Sequence, residues 1–306
     1  MSDQDLRALF EAAQKLALPQ VAAFDAPVEG AAGVMFVPSG MTAVSTRKFL
    51  DAHLPKPRRT TGVAELVDLA SLIAHARRFA GGSAVKAALF ADPTRTAPKL
   101  SAVYDYHDAG APDWMGHQAR YAFPLSDAWQ AWRAANGVNM GQADFASFIE
   151  DRVLDVLEPV DAGEAALAMV KTLGAEFASP SRLLDLSRNL SVSVGQSFKS
   201  ASKLSSGETQ IQFVEEHTTK DGAGAPVKMP GAVLLGIQVF REGPLYQVPA
   251  RLRYRVAGPV VAFRFDLFRT EVIFDHAFRE SCDLAAKETG LPLFYGAAEA
   301  PPVPVV

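Results

Sequence analysis

Hydrophobic and polar positions along this chain of 306 residues follow two different periods. In the first half apolar residues mostly recur every three or four positions, the signature of helices burying one face, with short alternating stretches between them. The pattern predicts helices over residues 5–18, 64–79 and 162–177, and a short one over 182–187. In the second of these Leu66, Leu69, Ala70 and Ile73 share a face, with His75 opposite. Ser126 is placed to cap a helix carrying Trp129 and Trp132, and Gly141 opens another with Phe145, Phe148, Ile149, Val153 and Val156 on one broad face. Strands are predicted at 33–37, 84–91, 100–106 and 118–123.

The period then becomes two, beginning with Leu190, Val192 and Val194 between serines. Ser205-Ser206-Gly207-Glu208 reads as a turn before a return strand with Ile211 and Phe213, and residues 218–231 as a polar glycine-rich loop. Strands follow at 234–240, 246–256 and 260–274, with connections too short for parallel crossovers. A helix over 275–287 ends at Gly290, before a proline- and valine-rich tail. The expected class is α+β: a mixed N-terminal domain (1–160), a helical connector (161–180), and an antiparallel meander with a packed terminal helix (181–306).

Composition narrows the function classes. Hydrophobic residues make up 49%, enough for a substantial core, and the formal charge of −4 gives no global attraction to nucleic acid or anionic lipid. Apolar runs such as 231–240 are far shorter than a membrane-spanning helix, and the acidic start, Ser2-Asp3-Gln4-Asp5, does not resemble a signal peptide. A soluble, cytoplasmic protein without membrane partners is expected. The lone Cys282 excludes an internal disulfide and any CxxC motif, and its helical position reads as packing. No phosphate-binding loop, nucleophile elbow or dinucleotide fingerprint occurs, so no cofactor is implied.

The sharpest chemical signal is Arg251-Leu252-Arg253-Tyr254-Arg255. In a strand its three guanidinium groups point one way and its two apolar groups the other. Arg264 and Asp266 alternate with Phe263, Phe265 and Leu267 on the next strand, so pairing around Ala257-Gly258-Pro259 would merge the two polar faces. Such a face could neutralise phosphates, with Phe268 or Tyr254 stacking on bases, or could meet carboxylates of a second subunit, or be simply solvated. Arg58 and Arg59, in the proline-bounded loop 55–59, are weaker candidates for the same contacts.

A second cluster, Asp105, His107, Asp108, Asp113 and His117, gathers oxygen and imidazole donors in a loop after a strand. These groups could hold a divalent metal or support acid–base chemistry. The alternative is that they hydrogen-bond a tight turn at Gly110-Ala111-Pro112.

Ala250 to Arg255, followed by Thr289-Gly290-Leu291-Pro292-Leu293-Phe294-Tyr295-Gly296, resembles the YfdQ-like family of prophage-encoded bacterial proteins. Residues 55–59, the run from Asp113-Trp114 to His117, and 142–150 with Phe145, Phe148 and Ile149 look like further landmarks of that family. The resemblance implies a phage or prophage setting near replication and recombination genes, and carries no catalytic residue with it.

These readings lead to a non-enzymatic protein that self-associates through open edges of its C-terminal sheet, with the tail lying across a neighbour, and serves phage DNA metabolism. A metal-dependent hydrolase using the Asp105–His117 loop, and a single-stranded nucleic-acid binder using the arginine strand, are the alternatives.

Overall fold

The computed structural model describes residues 3–17, 20–22, 34–36, 44–45, 53–57, 59–80, 86–193, 202–203, 209–210, 219–220, 226–227, 230–257 and 260–299. The fold is α+β, organised around a five-stranded mixed sheet and a four-stranded antiparallel sheet. Helix α1 (Asp3–Ala17) is followed by a small antiparallel sheet of β1 (Gln20–Ala22), β2 (Val34–Phe36) and β3 (Val44–Ser45).

The first large sheet combines β4 (Gly62–Leu66), β5 (Ala88–Asp92), β6 (Lys99–Val103) and β7 (His117–Ala122). Antiparallel pairs join β5 to β6 and β6 to β7, whereas β4 runs parallel to β7. Residues 64–66 therefore extend a strand, where the periodicity predicts helix. The cause is the cap of α2 (Leu69–Ala80): Asp68 accepts from the Ser71 amide at 2.6 Å and from the Ser71 hydroxyl at 2.8 Å. The helix thus begins just after Asp68. Those same bonds hold the Asp68 carboxyl below its ordinary pKa.

Next come α3 (Asp127–Ala135), β8 (Met140–Gly141), α4 (Gln142–Asp151), α5 (Glu164–Thr172) and α6 (Pro180–Ser193). Residues 190–193 are helical and not the start of the meander. Ser179 opens α6, its hydroxyl accepting from the Arg182 amide at 3.3 Å, and Leu183 and Leu186 bury themselves in the core. A run of three alternating residues is too short to outweigh that packing. Short antiparallel pairs join β9 (Ser202–Lys203) to β10 (Thr209–Gln210) and β11 (Thr219–Lys220) to β12 (Pro226–Val227). The first pair flanks the expected Ser205–Glu208 turn, and the second is a hairpin in what reads as loop. Val194, Ile211, Phe213 and the proline-rich tail lie outside the described residues.

The second large sheet has the order β13-β14-β15-β8, where β13 is Ala232–Gln238, β14 Leu245–Ala257 and β15 Val260–Leu267. The last strand stops seven residues before the expected 274, because α7 (Thr270–Thr289) begins there. Its inner face, with Val233, Leu235, Leu252, Phe263 and Phe265, belongs to one cluster that includes Trp129, Trp132, Phe145, Ile149 and Phe278. Phe145 stacks flat on Phe263 with centroids 4.5 Å apart, and the Trp132 ring meets Phe265 edge-on at 5.0 Å. The two halves also exchange strands. β8 pairs with β15, while β16 (Leu293–Tyr295), which the sequence pattern does not announce, returns parallel to β5 in the other sheet.

Both flanks of the second sheet are occupied by the chain itself. Along β13, Val156 and Phe177 make bridges to Leu235 and Ala232, and the Leu157 and Ala178 amides donate to Leu234 and Ala232 carbonyls at 2.9 Å. Along β15, the Gly137 amide donates to the Phe265 carbonyl and Asn136 Oδ1 accepts from the Leu267 amide. Over these residues the edges expected to be open in a meander are bonded to the chain itself.

Ser126 ties the two halves together: its hydroxyl caps α3 by accepting from the Trp129 amide at 3.0 Å and donates to the Gln238 carbonyl of β13. Ser126→Ala should lower unfolding stability by about 2 kcal/mol, combining the lost cap with an unpaired carbonyl. Urea denaturation of the wild type and the variant measures this directly.

Candidate functional site: an arginine face on the second sheet

Strand alternation and register place the arginines. Opposite pairs across β14 and β15 are Arg251↔Asp266, Leu252↔Phe265, Arg253↔Arg264, Tyr254↔Phe263 and Arg255↔Ala262. Leu252, Phe263 and Phe265 are buried, which fixes the other positions on the outer face. Arg253 and Arg255 are exposed and Arg251 and Arg264 half-buried. The outer face beside β13 is covered by α5 and the segment after it, whose Ala166, Val170 and Phe177 pack on Ala232 and Leu234. The arginine strip begins where that cover stops.

Asp266 sits within the strip and accepts from two arginines at once. Arg253 Nε donates to Oδ2 at 2.6 Å, and Arg264 Nε donates to Oδ1 at 2.8 Å. Arg251 and Arg255 have no ion-pair partner among the described residues. Tyr254 belongs to the other face: its hydroxyl donates to the Pro230 carbonyl at 3.0 Å, and burial pushes its pKa far up. It is unavailable for stacking on a base. Phe268 is 47% exposed at the end of β15, where its amide donates to the Pro249 carbonyl.

The two weaker arginine candidates fare differently. Arg59 lays its guanidinium 4.4 Å from the Trp114 ring centroid, and Arg58 lies outside the described residues. Cys282 is buried, and its surroundings push the thiol up to about 12, as expected of a packing residue.

In the Asp105–His117 loop, the donors mostly serve the backbone. Asp105 accepts from the Gly116 and His117 amides, both at 2.9 Å, and its carbonyl accepts from the Met115 amide at 3.1 Å. This clamp holds Met115, which is buried, in a left-handed conformation with φ 49°. His107 Nδ1 accepts from the Asp113 amide at 2.8 Å, and Asp113 in turn accepts from the Trp114 amide and lies 3.6 Å from Lys86 Nζ. Asp108 and Ala111 exchange backbone bonds around Gly110, whose φ is 77°. The five candidates do not converge, and no group of three metal-binding side chains occurs among the described residues.

His117 instead enters an aromatic cluster that sequence spacing conceals. Its ring lies 4.7 Å from Tyr104, 4.6 Å from Phe79 and 6.2 Å from His75, centroid to centroid. The Tyr104 hydroxyl and His75 Nδ1 are 2.7 Å apart. Burial lowers the pKa of both histidines; Arg78 adds to this at His75, whereas at His117 the effect of His75 adds and Asp105 opposes. Burial raises the Tyr104 pKa, so at neutral pH a protonated hydroxyl faces a neutral imidazole across this hydrogen bond. His75 thus packs against the sheet and not on the solvent side that its helical position suggests. These contacts join α2 to the junction of β6 and β7, a meeting no local pattern encodes.

A model of the family described as an uncharacterized conserved protein (DUF2303) matches residues 8–298. No curated protein and no solved structure matches the chain.

The histidine cluster makes a pH dependence. Because both folded-state pKa values lie below the ordinary 6.5, the unfolded chain binds more protons as pH falls through that value. Stability is therefore fully present above about pH 6.5 and declines on acidification until the folded-state pKa values are passed. Melting temperatures between pH 7.5 and 5.5 should fall for the wild type, and His75→Gln with His117→Gln should flatten part of that fall.

Proposed function

Because the chain belongs to the uncharacterised conserved family DUF2303, its own residues must supply the functional reading; we propose a non-enzymatic cytoplasmic protein of phage or prophage origin that binds single-stranded nucleic acid, as an accessory to phage DNA metabolism. The observation that carries this is the outer face of β14 and β15, where the paired strands bring Arg251, Arg253, Arg255 and Arg264 together with Asp266 as their one carboxylate among the described residues of those two strands. In a protein of formal charge −4, that face is a local excess of positive charge suited to a polyanion. Phe268, half-exposed at one end of β15, supplies an aromatic surface for a base. No helix among the described residues is long and apolar enough to cross a membrane. The metal-hydrolase alternative loses support because Asp105, His107, Asp108 and Asp113 bond backbone amides of their own loop.

Self-association is the second reading, favoured by β4. It is one edge of the first sheet, its outer side has no strand partner among the described residues, and Val63 in it and Val67 just after it are 45% and 85% exposed. An assembly formed there would leave the arginine faces of its subunits open, so the two readings are compatible.

A fluorescent oligothymidylate titrated at low salt tests the leading reading. Arg251, Arg253 and Arg255 changed together to Gln should weaken binding by about tenfold or more, and reduce the salt slope by about 2 from the wild-type value. Absence of wild-type binding, or unchanged affinity and slope in the variant, would overturn it. Absolute mass of both proteins reports self-association independently.

A further inference from the structure

We infer that Asp266 is a positioning residue, which holds Arg253 and Arg264 as a paired cradle for one phosphate group; this rests on the nucleic-acid reading above. Arg253 and Arg264 stand directly opposite each other across β14 and β15. Two like charges in that position repel and would splay apart. Asp266 prevents this from two residues along β15, with one carboxylate oxygen on each Nε, at 2.6 and 2.8 Å.

The exposure of the three groups orders them in depth. The carboxylate side chain is 27% exposed and the arginines 45% and 43%, so the acid lies beneath and the guanidinium groups above. Both arginines spend Nε on the acid, and no bond to their Nη atoms occurs among the described residues. The Nη edges are therefore the donors left for a ligand. The backbone also comes close to Arg264: a Cβ at Gly137 would stand 3.6 Å from Nη2. With φ 75° Gly137 also occupies a conformation that favours glycine, so the chain passes near the guanidinium without a side chain over it.

Two guanidinium groups with fixed planes suit a phosphodiester, whose two non-bridging oxygens share one negative charge and can each accept from a separate arginine. Fixing them beforehand reduces the ordering cost on binding. Arg251 and Arg255, two positions to either side and on the same face, then provide the flanking positive charge along a strand of nucleic acid.

Asp266→Asn separates positioning from simple electrostatics, because the two predict opposite signs. Removing a negative charge strengthens binding to any polyanion if charge alone matters. If Asp266 orients the pair, the variant binds oligothymidylate about fivefold more weakly despite its gain of one positive charge, and Asp266→Glu recovers part of the loss. Equal or tighter binding by a folded Asp266→Asn protein overturns the inference while leaving the nucleic-acid reading intact. Absence of binding by the wild type sinks both.

Should Asp266→Asn fail to fold, Arg253→Gln, Arg264→Gln and the double variant give the same decision. A cradle acting as a unit makes the double variant little weaker than either single one, whereas independent charges add their losses.

Discussion

The register of β14 against β15 is the constraint on which both the core and the candidate site depend. With Leu252 opposite Phe265 and Tyr254 opposite Phe263, one set of side chains fills the space under α3, α4 and α6, and the other set faces outward. A slip of one residue would invert every position, burying guanidinium groups and exposing aromatic rings. Burying an unpaired charge is far costlier than losing any single contact in the sheet. The arginines therefore help specify the register that displays them. Phe263 and Phe265, held by Phe145 and Trp132, specify it from the other side.

That register is protected by closure of the sheet's flanks. Segments around residues 136–141, 156–157 and 176–178 give their backbone groups to the outer strands, so amides that could template another chain are already bonded. The same segments carry the connections between helices, and the sheet's order is thereby tied to the placement of α3, α4 and α5. Aromatic contacts continue the link into the first sheet. Phe123, at the end of β7, meets Phe240 at 5.0 Å and Phe278 of α7 at 5.1 Å, and Phe240 meets Phe274 at 5.3 Å. Helix α7 thus shares a core with both sheets before β16 returns to the first. Packed rings therefore connect the two sheets.

Local signals in the sequence were legible where a single element determines its own form. The alternation over residues 246–256 gives the arginine strand and its buried partners, and Ser126 gives the start of α3, because strand faces and helix caps are set by near neighbours. Residues 64–66 show the opposite case. Their spacing fits a helical face, yet pairing with β7 keeps them extended and the Asp68 cap confines the helix to residues beyond it. Asp68-x-x-Ser71 was a readable sign of that start. The three residues of β16 have no such sign, since only β5 makes them a strand. Likewise, His75, Tyr104 and His117 meet through tertiary packing, across 42 residues of sequence, from His75 to His117. The sequence shows Asp266 near the arginines, but its simultaneous bonds to Arg253 and Arg264 follow from strand register.

Two aspartates separate a folding role from an available surface. Asp105 and Asp266 each satisfy both carboxylate oxygens, so neither is an idle charge. The donors to Asp105 are backbone amides, each with one hydrogen to give, and their bonding consumes them. The result is a closed loop and a buried Met115. The donors to Asp266 are guanidinium groups, each of which gives its Nε hydrogen and keeps four others. Satisfying Asp266 therefore orders its neighbours without exhausting them. A carboxylate held by amides finishes a turn, whereas one held by arginines organises a surface that can still bind. This difference in donor capacity, more than the number of charged residues in either cluster, distinguishes the two sites and is what supports the proposed binding face on the second sheet.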